Sequence, residues 1–142
     1  MSRFIKAPAT VPTHYHYQIH QWYTTSANDV YIPFGSSAVE TTYTTAGTYD
    51  DTYCITPFAG KLIKAYLFTA QTANTCDLQL RVDGSLGSSM LSGGTVEVSS
   101  GTVATFTCDQ NNTFAAEKPV NLYIVNETAP RQATMTTIWE ID

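Results

Sequence analysis

The sequence is poor in charged residues and has no long apolar run. Charged side chains make up 13% of its 142 residues, about half of the roughly 25% that is usual in globular proteins. Only seven residues are Lys or Arg and the net charge is −5, so no basic patch is available to neutralise phosphates, and we expect no nucleic-acid partner. No apolar stretch approaches the length of a transmembrane helix, and residues 1–6 lack the apolar stretch of a secretory signal. We therefore expect no membrane partner, and folding in a cytoplasm.

Cysteine is also scarce. Cys54, Cys76 and Cys108 are odd in number and far apart, with no CxxC pair and no neighbouring histidine. This pattern does not indicate a zinc site or a redox motif. We expect thiols that act as small buried hydrophobes, with a disulfide between subunits as the alternative.

A helical repeat of apolar residues is missing as well. The sequence instead contains short alternating segments rich in threonine, valine and tyrosine, whose branched or flat side chains pack well on a pleated sheet. These segments are 13–23, 30–34, 61–69, 76–82, 95–98, 102–108, 120–125 and 133–141. Their spacing predicts an all-β protein, an antiparallel, jelly-roll-like β-sandwich.

The predicted domain organisation has two parts. Residues 1–12 contain Pro8 and Pro12 and no periodic pattern, which predicts an extended N-terminal arm. Residues 13–142 form the predicted β-sandwich domain. Within it, segment 61–69 alternates between two largely apolar faces, which predicts a strand that lies between two layers.

The three histidines of the chain lie within seven residues of one predicted strand, as His14-x-His16-x-x-x-His20. Residues two apart share a face of a strand, so all three side chains are expected on one side. One copy offers an incomplete metal site. Around a threefold axis, His14 and His16 of three copies present enough nitrogens for an octahedral transition metal. The alternative is a row of polar aromatic residues on a strand or at a subunit contact.

Catalytic arrangements are missing from the sequence. It contains no serine nucleophile elbow, no phosphate-binding glycine loop followed by Lys and Ser or Thr, and no convincing carboxylate pair. We therefore expect a protein that is not an enzyme. The aromatic residues Tyr15, Tyr17 and Trp22 are typical of a subunit interface, and they would also stack on saccharide rings.

Four segments together resemble a known family. They are Gln-Ile-His-Gln-Trp-Tyr at 18–23, Tyr-Ile-Pro-Phe-Gly-Ser-Ser at 31–37, Thr-Pro-Phe-Ala-Gly-Lys-Leu-Ile-Lys at 56–64, and Trp139 with Glu140. In this order they resemble β-sandwich virion structural proteins of tailed bacteriophages, particularly those of marine and cyanobacterial hosts. The resemblance implies a homotrimeric module displayed on the particle, either as a capsid decoration or at the end of a fibre.

The resemblance and the composition together lead to an expected function. We expect a capsid decoration (cement) protein of the virion, assembled in the host cytoplasm, that binds the major capsid protein or another virion protein and stabilises the head. The expected contact residues are Phe4, Ile5 and Val11 of the arm, and Tyr15, Tyr17 and Trp22 of the first strand. The alternative is a tail-fibre or tail-tip module that binds a host-surface glycan. The lack of a coiled-coil or repeat shaft favours decoration.

Overall fold

The structure is a computed structural model that describes residues 13–23, 30–34, 54–85, 87–126 and 132–142. The arm residues Phe4, Ile5 and Val11 lie outside these ranges. The described residues form ten strands and no helix: β1 (His14–Trp22), β2 (Val30–Ile32), β3 (Cys54–Ile55), β4 (Gly60–Thr69), β5 (Asn74–Val82), β6 (Val96–Val98), β7 (Val103–Thr107), β8 (Thr113–Phe114), β9 (Pro119–Asn126) and β10 (Ala133–Ile141). These ranges contain no helix that is long and apolar enough to cross a membrane.

The strands form two packed antiparallel sheets, which confirms the predicted β-sandwich. Sheet A has the order β1-β10-β4-β7, with β8 also paired to β4, and sheet B has the order β2-β9-β5-β6, with β3 also paired to β9. The pairs are nested along the chain, because β1 pairs with β10, β2 with β9, β4 with β7 and β5 with β6. The pairing therefore brings the first and last described strands together at one edge of the sandwich.

The core lies between the sheets and is built from alternate residues of the central strands. Sheet A contributes fully buried apolar side chains, and sheet B faces them with its own: Leu62, Leu67, Phe106 and Met135 from sheet A, and Ile32, Leu78, Leu122 and Ile124 from sheet B. Cys76 and Cys108 are buried in the same cluster. These two thiols thus act as small hydrophobes, as predicted.

Strand β4 differs from its predicted position between two layers. The pairing with β10 shifts at Ile138 and Trp139, which leaves Ile63 as the extra residue of a bulge. Because of the bulge, Leu62 shares the core face with Ala65 and Leu67. The opposite face of β4 is not a second core, since Phe68 on that face is 46% exposed. The prediction of two covered faces is wrong for this reason.

Arg81 is buried although it lies on the outer face of sheet B. Its guanidinium carbon lies 3.6 Å from the centroid of the Tyr123 ring, and its Nη1 donates a hydrogen bond of 2.5 Å to the Tyr31 hydroxyl. Stacking on aromatic rings lets a guanidinium leave bulk water while it keeps a favourable electrostatic contact. The side chain thereby links β5 to β9 and β2 on the outside of sheet B.

Candidate functional site

Strand β1 has one exposed outer face. Tyr15, Tyr17 and Ile19 project from this face, and Tyr17 is 77% exposed. The strand contains no Asp, Glu, Lys or Arg, and in the described part of the chain it pairs only with β10. Exposed edge strands usually carry charges, prolines or bulges that prevent association with other chains. β1 has no charged residue, proline or bulge of this kind.

The outer face of sheet A continues across the neighbouring strands as a mixed surface: Thr134 lies between Gln21 and Phe68, and Lys64 lies in register with Ile138. Phe68 of β4 lies opposite Val103 of β7, and both side chains are exposed. One ion pair lies at the other end of the face, where the Lys61 Nζ is 3.1 Å from the Glu140 Oε1. Exposed apolar surface of this kind is typical of an interaction site. We call this surface the outer face of sheet A.

The inner face of β1 carries the three histidines, as predicted, but in different surroundings. His14 and His16 are exposed, whereas His20 is fully buried. The His20 Nδ1 is 3.0 Å from the Pro33 carbonyl oxygen, and its Nε2 is 2.9 Å from the Thr137 hydroxyl oxygen. His20 thus joins β1 and β10 of sheet A to the end of β2 in sheet B.

The hydrogen bonds around His20 fix one neutral tautomer. A carbonyl oxygen only accepts, so Nδ1 carries the proton toward Pro33. The Thr137 oxygen accepts a 2.8 Å hydrogen bond from the Trp139 indole N–H. Its hydroxyl proton can point at the His20 Nε2, 2.9 Å away, or at the more distant Gln18 carbonyl oxygen, 3.4 Å away. Burial lowers the pKa of His20, although the hydrogen bond to Pro33 acts in the opposite direction. His20 is therefore a structural residue and is not available as a metal ligand.

The metal prediction rests on His14 and His16 alone. Within the described residues, no group of three or more His, Cys, Asp or Glu side chains is placed to hold a metal ion. The two exposed histidines lie on the same side of β1, which is the arrangement that a shared site requires. A transition-metal site formed by His14 and His16 of three copies stays a prediction.

Trp22 occupies a different place from the one predicted for a contact residue. Its side chain is 4% exposed and packs in the core cluster. Trp22 lies two residues after His20 on β1, so its side chain points to the same inner face of the strand. Trp22 therefore has almost no surface to offer a partner, and the exposed aromatic residues of β1 are Tyr15 and Tyr17.

A pocket of about 440 Å³ opens at one end of the sandwich, within the range of about 300–1,000 Å³ that is usual for ligand sites. Its walls come from both sheets and are mostly apolar: Phe34, Cys54, Phe58, Phe114, Trp139 and Ile141. His16, Gln18 and Thr56 add polar groups. The ring of Trp139 lies 5.6 Å from Phe114 and 6.2 Å from Phe34, measured between centroids. Because Thr137 binds the indole N–H, the His20 hydrogen bonds also hold this wall in place.

One pocket residue, Phe58, is recognisable in the sequence from its position in a turn. Phe58 lies in the turn Thr56-Pro57-Phe58-Ala59-Gly60, where a large apolar side chain is hard to bury. In the structure it is 59% exposed at the pocket. The other wall residues come from distant parts of the chain, and no spacing rule brings them together.

Comparisons with protein families, with curated proteins and with solved structures find no match to this chain.

Proposed function

We propose that this chain is a structural protein of a tailed-bacteriophage virion, a capsid decoration protein without enzymatic activity. In this proposal it binds the major capsid protein as a homotrimer and stabilises the head. The observation that carries the proposal is the exposed, uncharged outer face of β1, with Tyr15 and Tyr17 at its centre. Such a surface is covered without the desolvation cost of buried charge.

The strand order supports the jelly-roll form of the sandwich. Its four nested pairs are what a long antiparallel hairpin produces when it is rolled into two facing sheets. Each sheet of such a sandwich has one outer face, and the outer face of sheet A is the one that we propose binds the capsid. A trimer that presents three such faces to the capsid would gain avidity from contacts that are individually weak.

The experiment that tests the function is a copy count on purified particles by quantitative mass spectrometry. A decoration protein is expected at a copy number comparable to that of the major capsid protein. Absence from the particle would contradict any virion role. A few copies per particle would favour the second candidate, a tail module that binds a glycan through the exposed tyrosines of β1.

Replacing Tyr17 with glutamate is expected to weaken capsid binding at least tenfold, or about 1.4 kcal/mol. The new carboxylate would lie in the middle of the covered face and lose its water on binding. The free energy of unfolding should change by no more than about 0.5 kcal/mol, since the position is solvent-exposed. Co-sedimentation with capsids that lack this protein measures the effect.

The matched control is Thr95→Glu, which adds the same charge at an exposed position before β6 in the other sheet. Its capsid binding should equal that of the unmodified protein. Equal loss in both variants would show that net charge, and not the outer face of sheet A, controls binding.

A further inference from the structure

The pocket between the sheets has the properties of a site for an apolar peptide segment. Phe58 and Ile141 form part of its wall, and the Phe58 side chain is largely exposed to water. The Thr56 hydroxyl oxygen is buried and has no hydrogen-bond partner among the described residues. A peptide would cover the apolar wall with its side chains and could supply a backbone N–H to this oxygen.

The N-terminal segment of the chain has matching chemistry. Residues 1–12 contain the apolar side chains Phe4, Ile5 and Val11, and their only charges are Arg3 and Lys6. The segment therefore carries +2, and the remaining residues carry −7 because the whole chain carries −5. The exposed Asp142 follows pocket residue Ile141, and its backbone N–H binds the Ala59 carbonyl oxygen beside Phe58. A basic, apolar segment thus suits both the pocket and the Asp142 carboxylate at its edge.

The point where residues 1–12 join the β-sandwich affects whether they can reach the pocket of their own copy or that of a neighbouring copy. The chain enters the described part at Thr13, and His14 lies opposite Ile141. The pocket residue His16 is about 10 Å from Thr13 along β1, and the chain from Phe4 to Thr13 can span up to about 30 Å. A segment of this length can reach the pocket of a neighbouring copy. The prediction from Pro8 and Pro12 of an extended segment favours a neighbouring copy over the chain's own pocket.

We propose that residues 1–12 of a second copy of this chain fill the pocket, with Phe4 and Ile5 as the anchoring side chains. Each copy then donates one arm and receives one, so the exchange closes in a symmetric ring. The proposal goes beyond the virion role, because the purified chain alone suffices for the exchange. A failure of the capsid experiments would leave it intact.

A disulfide test uses the native thiol in the pocket wall. Ile5→Cys in the full chain should form a disulfide with Cys54 of another copy. Copper phenanthroline and an alkaline buffer are needed, since burial raises the pKa of the Cys54 thiol to about 11 and leaves little reactive thiolate near neutral pH. Non-reducing electrophoresis should then show covalent dimers and larger rings.

Two controls identify the bond and its specificity. Adding Cys54→Ser to Ile5→Cys should abolish the cross-linked bands. Thr95→Cys, which places an exposed thiol in a different part of the chain, should form few of them. A fast-migrating, internally linked monomer would overturn the proposal, because the arm would then fill its own pocket. An absence of any Ile5–Cys54 bond would overturn it as well.

The oligomeric state provides a second measurement that does not depend on thiol reactivity. The double substitution Phe4→Ser, Ile5→Ser and the single substitution Phe58→Ser should each weaken self-association at least tenfold in sedimentation velocity. The midpoint temperature of thermal unfolding of each variant should stay close to that of the unmodified chain. Unchanged self-association in both variants would overturn the proposal.

Discussion

Replacing His20 with alanine is expected to destabilise the sandwich by about 3 kcal/mol or more. The substitution removes a fully buried side chain and leaves a cavity beside Phe34, whose ring centroid lies 4.9 Å from that of His20. It also leaves the Pro33 carbonyl oxygen and the Thr137 hydroxyl without their partner in a dry environment. Chemical denaturation of the two proteins measures the difference in the free energy of unfolding.

The matched control is His16→Ala on the same strand and the same face. His16 is exposed, so its loss is expected to change the free energy of unfolding by no more than about 0.5 kcal/mol. A large effect in both variants would mean that β1 itself tolerates alanine poorly. A small effect in both would contradict the structural role of the His20 hydrogen bonds.

The same residue predicts a pH dependence. The pKa of His20 in the folded chain is lowered from its ordinary value of 6.5. As the pH falls below that value, the unfolded chain takes up a proton at this position before the folded chain does, so stability falls. The stabilising contribution is thus present above pH 6.5 and is lost on acidification. In His20→Gln, the loss of stability between pH 7.5 and pH 5.5 should be smaller, and an unchanged loss would contradict this assignment.

Replacing Gly60 with alanine is expected to destabilise the chain by about 3 kcal/mol or more, at the upper end of overpacking effects. A Cβ atom at this position would lie 2.3 Å from the backbone oxygen of Glu140 and 3.0 Å from the Phe114 ring. The oxygen belongs to the backbone of β10 and cannot move away without breaking the pairing with β4. Thermal unfolding of the variant measures the loss.

Gly93→Ala is the control for Gly60→Ala. No atom lies within 4 Å of a Cβ built at Gly93, and neither glycine has a positive φ. The two substitutions therefore differ in available space. If Gly93→Ala were equally destabilising, the close approach of β10 would not explain the loss at Gly60, since the unfolded-state entropy favours alanine at both positions. Phe114 and Ile141 line the pocket, so Gly60→Ala should also disturb its walls.

The faces of β1 could be predicted from the sequence, because a strand alternates with a period of two. The different roles of the three histidines could not. His20 is buried because Pro33, Phe34 and Thr137 surround it, and these residues lie far from it or in another sheet. His16 follows the same alternation, yet it lies at the open end of the sandwich.

The bulge in β4 shows a second limit of sequence patterns. Strict alternation assigns Leu62 to the wrong face, because one unpaired residue, Ile63, reverses the faces on either side of it. The pocket shows a third limit. Its walls include Phe58, Phe114 and Trp139, which come from distant segments of the sequence and meet only when their strands have paired. Local periodicity contains no information about such long-range contacts.

The nested strand pairing also determines when the core can close during synthesis. β1 is synthesised more than a hundred residues before its partner β10. Until then β1, with its aromatic side chains, lacks a strand partner and has to avoid association with other nascent chains. Pairing over such sequence distances places the domain among slowly folding proteins. Release of residues 133–141 from the ribosome is therefore the event that allows sheet A to form.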